Sequence, residues 1–188
     1  MALSFAGNGT ITGLSVGGLP DGCVTSSDLS SGTGGKVLQC LSTPFTSVFS
    51  STSPDTFADI SGFSVAITPA ATSSKVLVTV NVGYEGPASN NSFFRLVRDS
   101  TAIALGDAAG SRDRGLLKLN RSSSNYGWQV ASFTFLDSPS STSALNYKLQ
   151  IGGTGDSAQM YINRDHNDAD SNESLRGFSS ITAMEISG

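Results

Sequence analysis

"KVLVTVNV", Lys75 to Val82, alternates without a break: Val76, Val78, Val80 and Val82 fall on one side, and Leu77, Thr79 and Asn81 on the other. A period of two is that of a β-strand, and β-branched side chains suit a pleated, half-buried surface better than a helix. "NYKLQIG" (Asn146 to Gly152) repeats the alternation, with Tyr147, Leu149 and Ile151 opposed to Asn146, Lys148 and Gln150. Outward from these two, apolar runs of strand length recur as "KVLQCLST", "GFSVAIT", "SFFRLVR", "TAIALG", "GLLKL", "YGWQVASFTFL", "QMYIN" and "SITAMEI". Clusters of Ser, Gly, Pro, Asn and Asp separate them, as turns separate strands. A parallel sheet needs crossover helices and no convincing helix intervenes, so the expected fold is all-β: an antiparallel, jelly-roll-like β-sandwich. Pro69, Pro87 and Pro139 fall in the predicted turns, and "RDST" (Arg98 to Thr101) reads as a tight hairpin.

"WQVASFTF" departs from clean amphipathicity. Trp128 and Val130 share one face while Ala131, Phe133 and Phe135 share the other, so both sides call for cover. Such a strand is either central in a sandwich or turns its second face to another subunit.

The strand-and-turn texture begins near Lys36, which sets residues 36–188 apart as a head domain. Residues 1–35 form a separate segment, and its stretch "ITGLSVGGLPDGCVTSSDLSSGTGG" is too apolar for a plain linker and too rich in glycine to build a core alone. In the 188-residue chain the net charge is -4, the wrong sign for a surface that neutralises phosphates, so nucleic acid is not an expected partner. No run of about 18 apolar residues occurs and the amino terminus lacks a basic, signal-like region, so neither membrane insertion nor a secretory signal is expected. Cys23 and Cys40 are too few for a disulfide framework and match no zinc spacing; free thiols are expected, the alternative being a bridge between neighbouring copies.

No catalytic signature emerges. His166, the only histidine, stands in "NRDHNDADSNES" among polar residues and reads as a solvated loop side chain rather than the oriented base of a triad. "DADSNES" starts like a calcium loop but puts Glu173 where the turn needs Gly and Ser179 where the bidentate acid belongs, so solvated acids are expected and no metal. "GTGGKV" lacks the upstream Gly and the hydroxyl residue of a phosphate-binding loop. Arg112, Arg114, Lys118 and Arg121 in "GSRDRGLLKLNR" read as a charged strand edge that discourages sheet-to-sheet aggregation. No enzyme activity and no cofactor are expected.

Several phrases nonetheless carry a resemblance: "FADISGFSVAITPAATSSKVLVTVNV", "FFRLVRDSTAIALGDAAGSR", "FTFLDSPSSTSALNYKLQI", "YINRD" with "RGFSSITAMEI", and the leader "GNGTITGLSVGGLPDGCVTSSDLSSG". Together they resemble the carboxy-terminal domains of bacteriophage tail-fibre and related virion appendage proteins, especially of phages infecting marine bacteria and cyanobacteria. The resemblance implies a homotrimeric β-sandwich head that projects from the virion exterior, contacts other virion proteins of tail, baseplate or capsid, and binds a glycan or protein of the host surface. The leader corresponds to a stem or virion anchor in which Phe5, Ile11, Leu14, Val16, Leu19 and Val24 meet their counterparts from other copies, glycine letting the backbones approach. With a leader this short and no repeated shaft, a short fibre is expected, the alternative being a capsid head fibre or a decoration or cement protein without a receptor-binding role.

Recognition of that kind needs loops that pair hydroxyls and stack on sugar faces. Two loops fit. One spans 120–126 and offers Asn120, Arg121, Asn125 and Tyr126; the other spans 164–172 and offers Arg164, Asp165, His166, Asn167, Asp168 and Asp170.

Overall fold

The computed structural model describes residues 4–5, 11–12, 36–52, 56–86, 91–119, 127–154 and 159–188. The chain divides after Lys36 into two units, 1–36 and 37–188. In the first, β1 (Ser4–Phe5) pairs antiparallel with β2 (Ile11–Thr12). Phe5 and Ile11 are register partners there, while Leu14, Val16, Leu19, Val24 and Cys23 lie outside the described residues.

The second unit is built from β3 (Val37–Phe45), β4 (Phe49–Thr52), β5 (Ala58–Ile67), β6 (Lys75–Glu85), β7 (Asn91–Arg98), β8 (Thr101–Ile103), β9 (Leu117–Leu119), β10 (Gln129–Asp137), β11 (Leu145–Thr154), β12 (Gln159–Ile162) and β13 (Ser179–Ile186). Every pairing is antiparallel, and no helix occurs among the described residues. The long strands pair as a nest. The first, β3, lies beside the last, β13; β5 lies beside β11, β6 beside β10, and β7 beside β8 and β9. A hairpin rolled up in this way is the jelly-roll form of the β-sandwich.

One sheet contains β3, β4, β6, β10, β12 and β13, and the other β5, β7, β8, β9 and β11. In the first sheet Tyr84 of β6 pairs with both Gln129 of β10 and Ile162 of β12, so these lie on opposite edges of β6. Strands β13 and β12 therefore follow one another along one edge of β6, and β10 occupies the other.

Alternation places the core between the sheets. Val76, Val78, Val80 and Val82 are fully buried, as are Tyr147, Leu149 and Ile151 facing them from the second sheet. Each such aliphatic side chain contributes roughly 1.5–3 kcal/mol by leaving water. Strand β5 interrupts its own alternation: its ladder with β11 slips between Lys148 and Gln150, Gly62 adopts a φ of +82°, and the buried Ile60 and Phe63 fall three residues apart. Phe63 thereby stacks on Phe45 of the opposite sheet at 5.0 Å.

Two buried acids join the layers. Glu185 accepts from Gln39 Nε2 at 2.6 Å and from the Ala70 amide at 2.7 Å. Burial alone pushes its carboxyl up, but these donors and the Ser74 hydroxyl outweigh it and hold the group below the usual range. Asp137 accepts from the Tyr147 hydroxyl at 2.7 Å and from Arg98 at 2.6 Å.

The outer faces of the two sheets differ in chemistry. On the second sheet Asp59 accepts from Lys148 and Gln150, both at 2.7 Å, and Arg95 bonds Gln150 while lying 3.7 Å over the Phe57 ring. The outer face of the first sheet carries three rows in register across four strands: Cys40, Met184, Leu77 and Leu136; then Ser42, Thr182, Thr79 and Thr134; then Pro44, Ser180, Asn81 and Ser132. No residue of the three rows is charged. Hydroxyls bridge the middle row at 2.8 Å (Ser42 to Thr182) and 3.2 Å (Thr79 to Thr134). Cys40, at the end of the first row, is an exposed free thiol.

Candidate functional site

A cleft opens where β6, β10 and β12 end. It is lined by Glu85, Trp128, Asp165, His166, Asn167, Glu173 and Leu175, with a volume of about 210 Å³. Its floor is the end of β6 and its far wall is the loop between β12 and β13, residues 163–178.

Asn163 starts that loop. It follows the last residue of β12 in the left-handed region at φ 58°, which Asn tolerates better than most residues. Fully buried, its amide donates to Phe45 O at 2.6 Å and Ser47 O at 3.1 Å, while its Oδ1 accepts from the Ser179 hydroxyl at 2.6 Å. Its backbone N–H bonds Gly83 O, and its carbonyl accepts from the Gly177 amide. One side chain thus ties the β3 to β4 connection to β13 at the point where the loop leaves and returns.

The loop is then cross-braced. Asp165 accepts from the amides of Asp168 at 2.7 Å and Leu175 at 3.1 Å, pinning both arms. Desolvation pushes its carboxyl up, yet those two N–H groups, the Ser174 hydroxyl and the neighbouring His166 together hold it below the ordinary range. The Asp168 carboxylate, on a residue at φ 49°, bridges Arg164 at 2.9 Å and Arg176 at 2.6 Å, and the Arg164 guanidinium lies 4.5 Å over the Tyr161 ring.

Two residues place the loop over the sheet. Glu85 at the end of β6 is buried; the His166 amide donates to its Oε2 at 3.2 Å, and His166 Nδ1 lies 3.3 Å from its Oε1. The expected solvated histidine is therefore corrected: the side chain of His166 is 17% exposed and is held against a buried carboxylate contributed by a strand. The second is Trp128, just before β10. A Cβ on Gly83 or on Gly177 would overlap the Cζ2–Cη2 edge of its six-membered ring, so that edge of the indole occupies space that the two glycines leave for it.

The predicted residues separate into three groups. Asp165, His166 and Asn167 come together in the cleft. Asp168 and Asp170 line a neighbouring depression with Ser171, Ser174 and Arg176, and Arg164 lies beneath it as a brace. Asn120, Arg121, Asn125 and Tyr126 lie outside the described residues. The acids of this loop do not converge: among the described residues no three His, Cys, Asp or Glu side chains are grouped to hold a metal ion, because Asp168 is taken up by arginines and Asp165 by backbone amides. Arg112 and Arg114 donate to the carbonyls of Ala109 and Gly106, tying down the segment that leads to edge strand β9.

Sequence reasoning had not assigned Glu85, Trp128, Glu173 or Leu175 to the site. The one available signal was the glycine inside strand-like text at Gly83, where a close approach is the usual reason for losing the side chain.

No protein-family model and no curated protein matches the sequence. Among solved structures, the chain is similar to one of infectious bursal disease virus, Gx strain, at 12% identity and a TM-score of 0.32, covering 79% of this chain and 42% of that one. It is also similar to the infectious bursal disease virus VP2 subviral particle at 14% identity and a TM-score of 0.30, covering 80% of this chain and 42% of that one. The chain spans less than half the length of either. The head is an antiparallel jelly-roll sandwich with a braced loop, an aromatic wall and acidic groups around one cleft.

Proposed function

We propose that this chain is a virion structural protein, a short trimeric fibre whose jelly-roll head binds a host-surface glycan and whose amino-terminal segment anchors it to the particle. The observation that carries the reading is the seating of Trp128 beside Asp165, His166, Asn167 and Glu173. A flat indole offers a stacking face for a pyranose ring, and carboxylate, imidazole and amide groups offer acceptors and donors for its hydroxyls. The brace of Asp165, Asp168 and the two arginines fixes that geometry before the ligand arrives, which limits the ordering cost of binding. Three copies would multiply a weak single-site affinity. Jelly rolls serve both virion and lectin domains, which supports the reading as analogy alone.

Trp128 is the only tryptophan, so its emission reports on the site directly. Titration with oligosaccharides prepared from the host surface polysaccharide is expected to change that emission saturably, and Trp128→Ala protein is expected to stop labelling host cells. Undiminished labelling by the Trp128→Ala protein removes the cleft from the function. Labelling of capsids but of no host cell replaces host attachment with the decoration role. Deleting residues 1–30 is expected to leave a folded head that no longer enters particles; normal incorporation refutes the anchor.

A further inference from the structure

The open sheet edges of the head are protected unequally. Strand β5 carries the slip at Gly62, β8 and β9 are three residues long, and β3 contains Pro44. Each is a device that discourages another strand from adding to the edge. Strand β10 has none of them. It runs nine residues in unbroken register with β6, with no proline, glycine or charge before Asp137. Among the described residues its other edge pairs with nothing. Its outer face presents Val130, 66% exposed, and Leu136, 46% exposed, and continues into the three uncharged rows of its sheet.

We infer that the β10 edge and this uncharged sheet face are where a neighbouring copy of the same chain docks. Charge selects that occupant. The chain is acidic, with a net charge of -4, and the opposite sheet wears an ionic network on its outer face. Two copies meeting there would desolvate charges at a cost of several kcal/mol per ion, whereas the uncharged face meets an identical molecule with no like-charge repulsion. The size is adequate. Three rows at ~6.8 Å and four strands at ~4.8 Å give a flat footprint of about 400 Å², which the β10 edge and Val130 extend toward the ~800 Å² per partner of a standard interface. The inference rests on the self-assembly proposed above and adds the surface that makes it.

Sedimentation velocity on the full chain tests it. A Thr134→Lys, Leu136→Lys variant places charge in the middle of the face and far from Trp128, and Ala66→Lys places it on the exposed outer side of β5 as the control. Wild type and Ala66→Lys are expected to sediment as trimers, and the double variant as a monomer with an unchanged circular dichroism spectrum. A monomeric wild type overturns both the assembly and this surface. A double variant that stays trimeric leaves the assembly standing and overturns the surface alone. Should the double variant fail to fold, hydrogen exchange on wild type decides: protection is expected for the β10 amides that point away from β6, and rapid exchange of those amides in the intact trimer overturns the assignment.

Discussion

Replacing Asn163 by Ala is expected to destabilise the head and release the loop that forms the cleft wall. Three hydrogen bonds are lost, to Phe45 O, Ser47 O and the Ser179 hydroxyl, and the groups left behind are largely sealed from water. An unsatisfied buried group costs about 1–3 kcal/mol, and Ala pays a further ~1 kcal/mol at positive φ. Some relaxation and the second carbonyl's partial exposure lower the sum, giving about 3–5 kcal/mol. For a domain of this size that corresponds to a fall in Tm of roughly 6–20 °C. Urea unfolding at pH 7, followed by circular dichroism, measures it. Asn163→Gly separates the two contributions, because glycine accepts the backbone conformation and loses the same bonds; it is expected to be about 1 kcal/mol more stable than Asn163→Ala. A variant Asn163→Ala within 1 kcal/mol of wild type refutes the role of this side chain as the tie between β12, β13 and the β3 to β4 connection.

Gly177→Ala drives a methyl group into the Trp128 ring; a red shift of the single tryptophan emission is expected, with loss of any ligand-induced change, and an unshifted spectrum contradicts the packing. Glu185 has a lowered folded pKa, so its contribution is present above the unfolded glutamate value near ~4.3 and is lost as pH falls through the lower folded value. The stability gap between wild type and Glu185→Gln is therefore expected to be widest near neutrality and to narrow below about pH 5, and a gap that grows on acidification reverses the sign of the reasoning. Tyr147 is pushed well above the ordinary tyrosine range by burial, with its bond to Asp137 adding to the shift; in an alkaline absorbance titration it is expected to stay protonated until the fold is lost. Tyr147→Phe leaves Asp137 with Arg98 and is expected to cost about 1–2 kcal/mol in urea unfolding.

The strands were legible because side-chain alternation is written locally. "KVLVTVNV" and "NYKLQIG" lie inside β6 and β11 with the predicted residues inward, and the hairpin at Asp99 falls where "RDST" placed it. Strand β4 was invisible: "FSST" has one large apolar residue, and it is a strand because β12 pairs with it. "TAIALG" was read too long, since Ala104 turns to a φ of 55° and ends β8. The site was legible only in part. Asp165, His166 and Asn167 announce themselves as a polar cluster, but Glu85 at the end of β6 and Trp128 just before β10 reach the cleft from far away in sequence. The burial of His166 depends on Glu85, 81 residues earlier, and no reading of neighbours reveals it. Both faces of "WQVASFTF" call for cover; the head covers Ala131, Phe133 and Phe135 on one side and Trp128 on the other, and leaves Val130 exposed.

The nested strand order sets the timing of folding. The partner of β3 is β13, and the central strand β6 receives β13 only after the other described strands have been made. At roughly 5–20 residues per second of synthesis, the first sheet waits many seconds with β3 unpaired and the valines of β6 half covered. Pairings this distant in sequence also close slowly, because the loop entropy is lost before the contacts form. The nascent head is thus expected to stay open to chaperones and proteases until β13 is made and closes between β3 and β6.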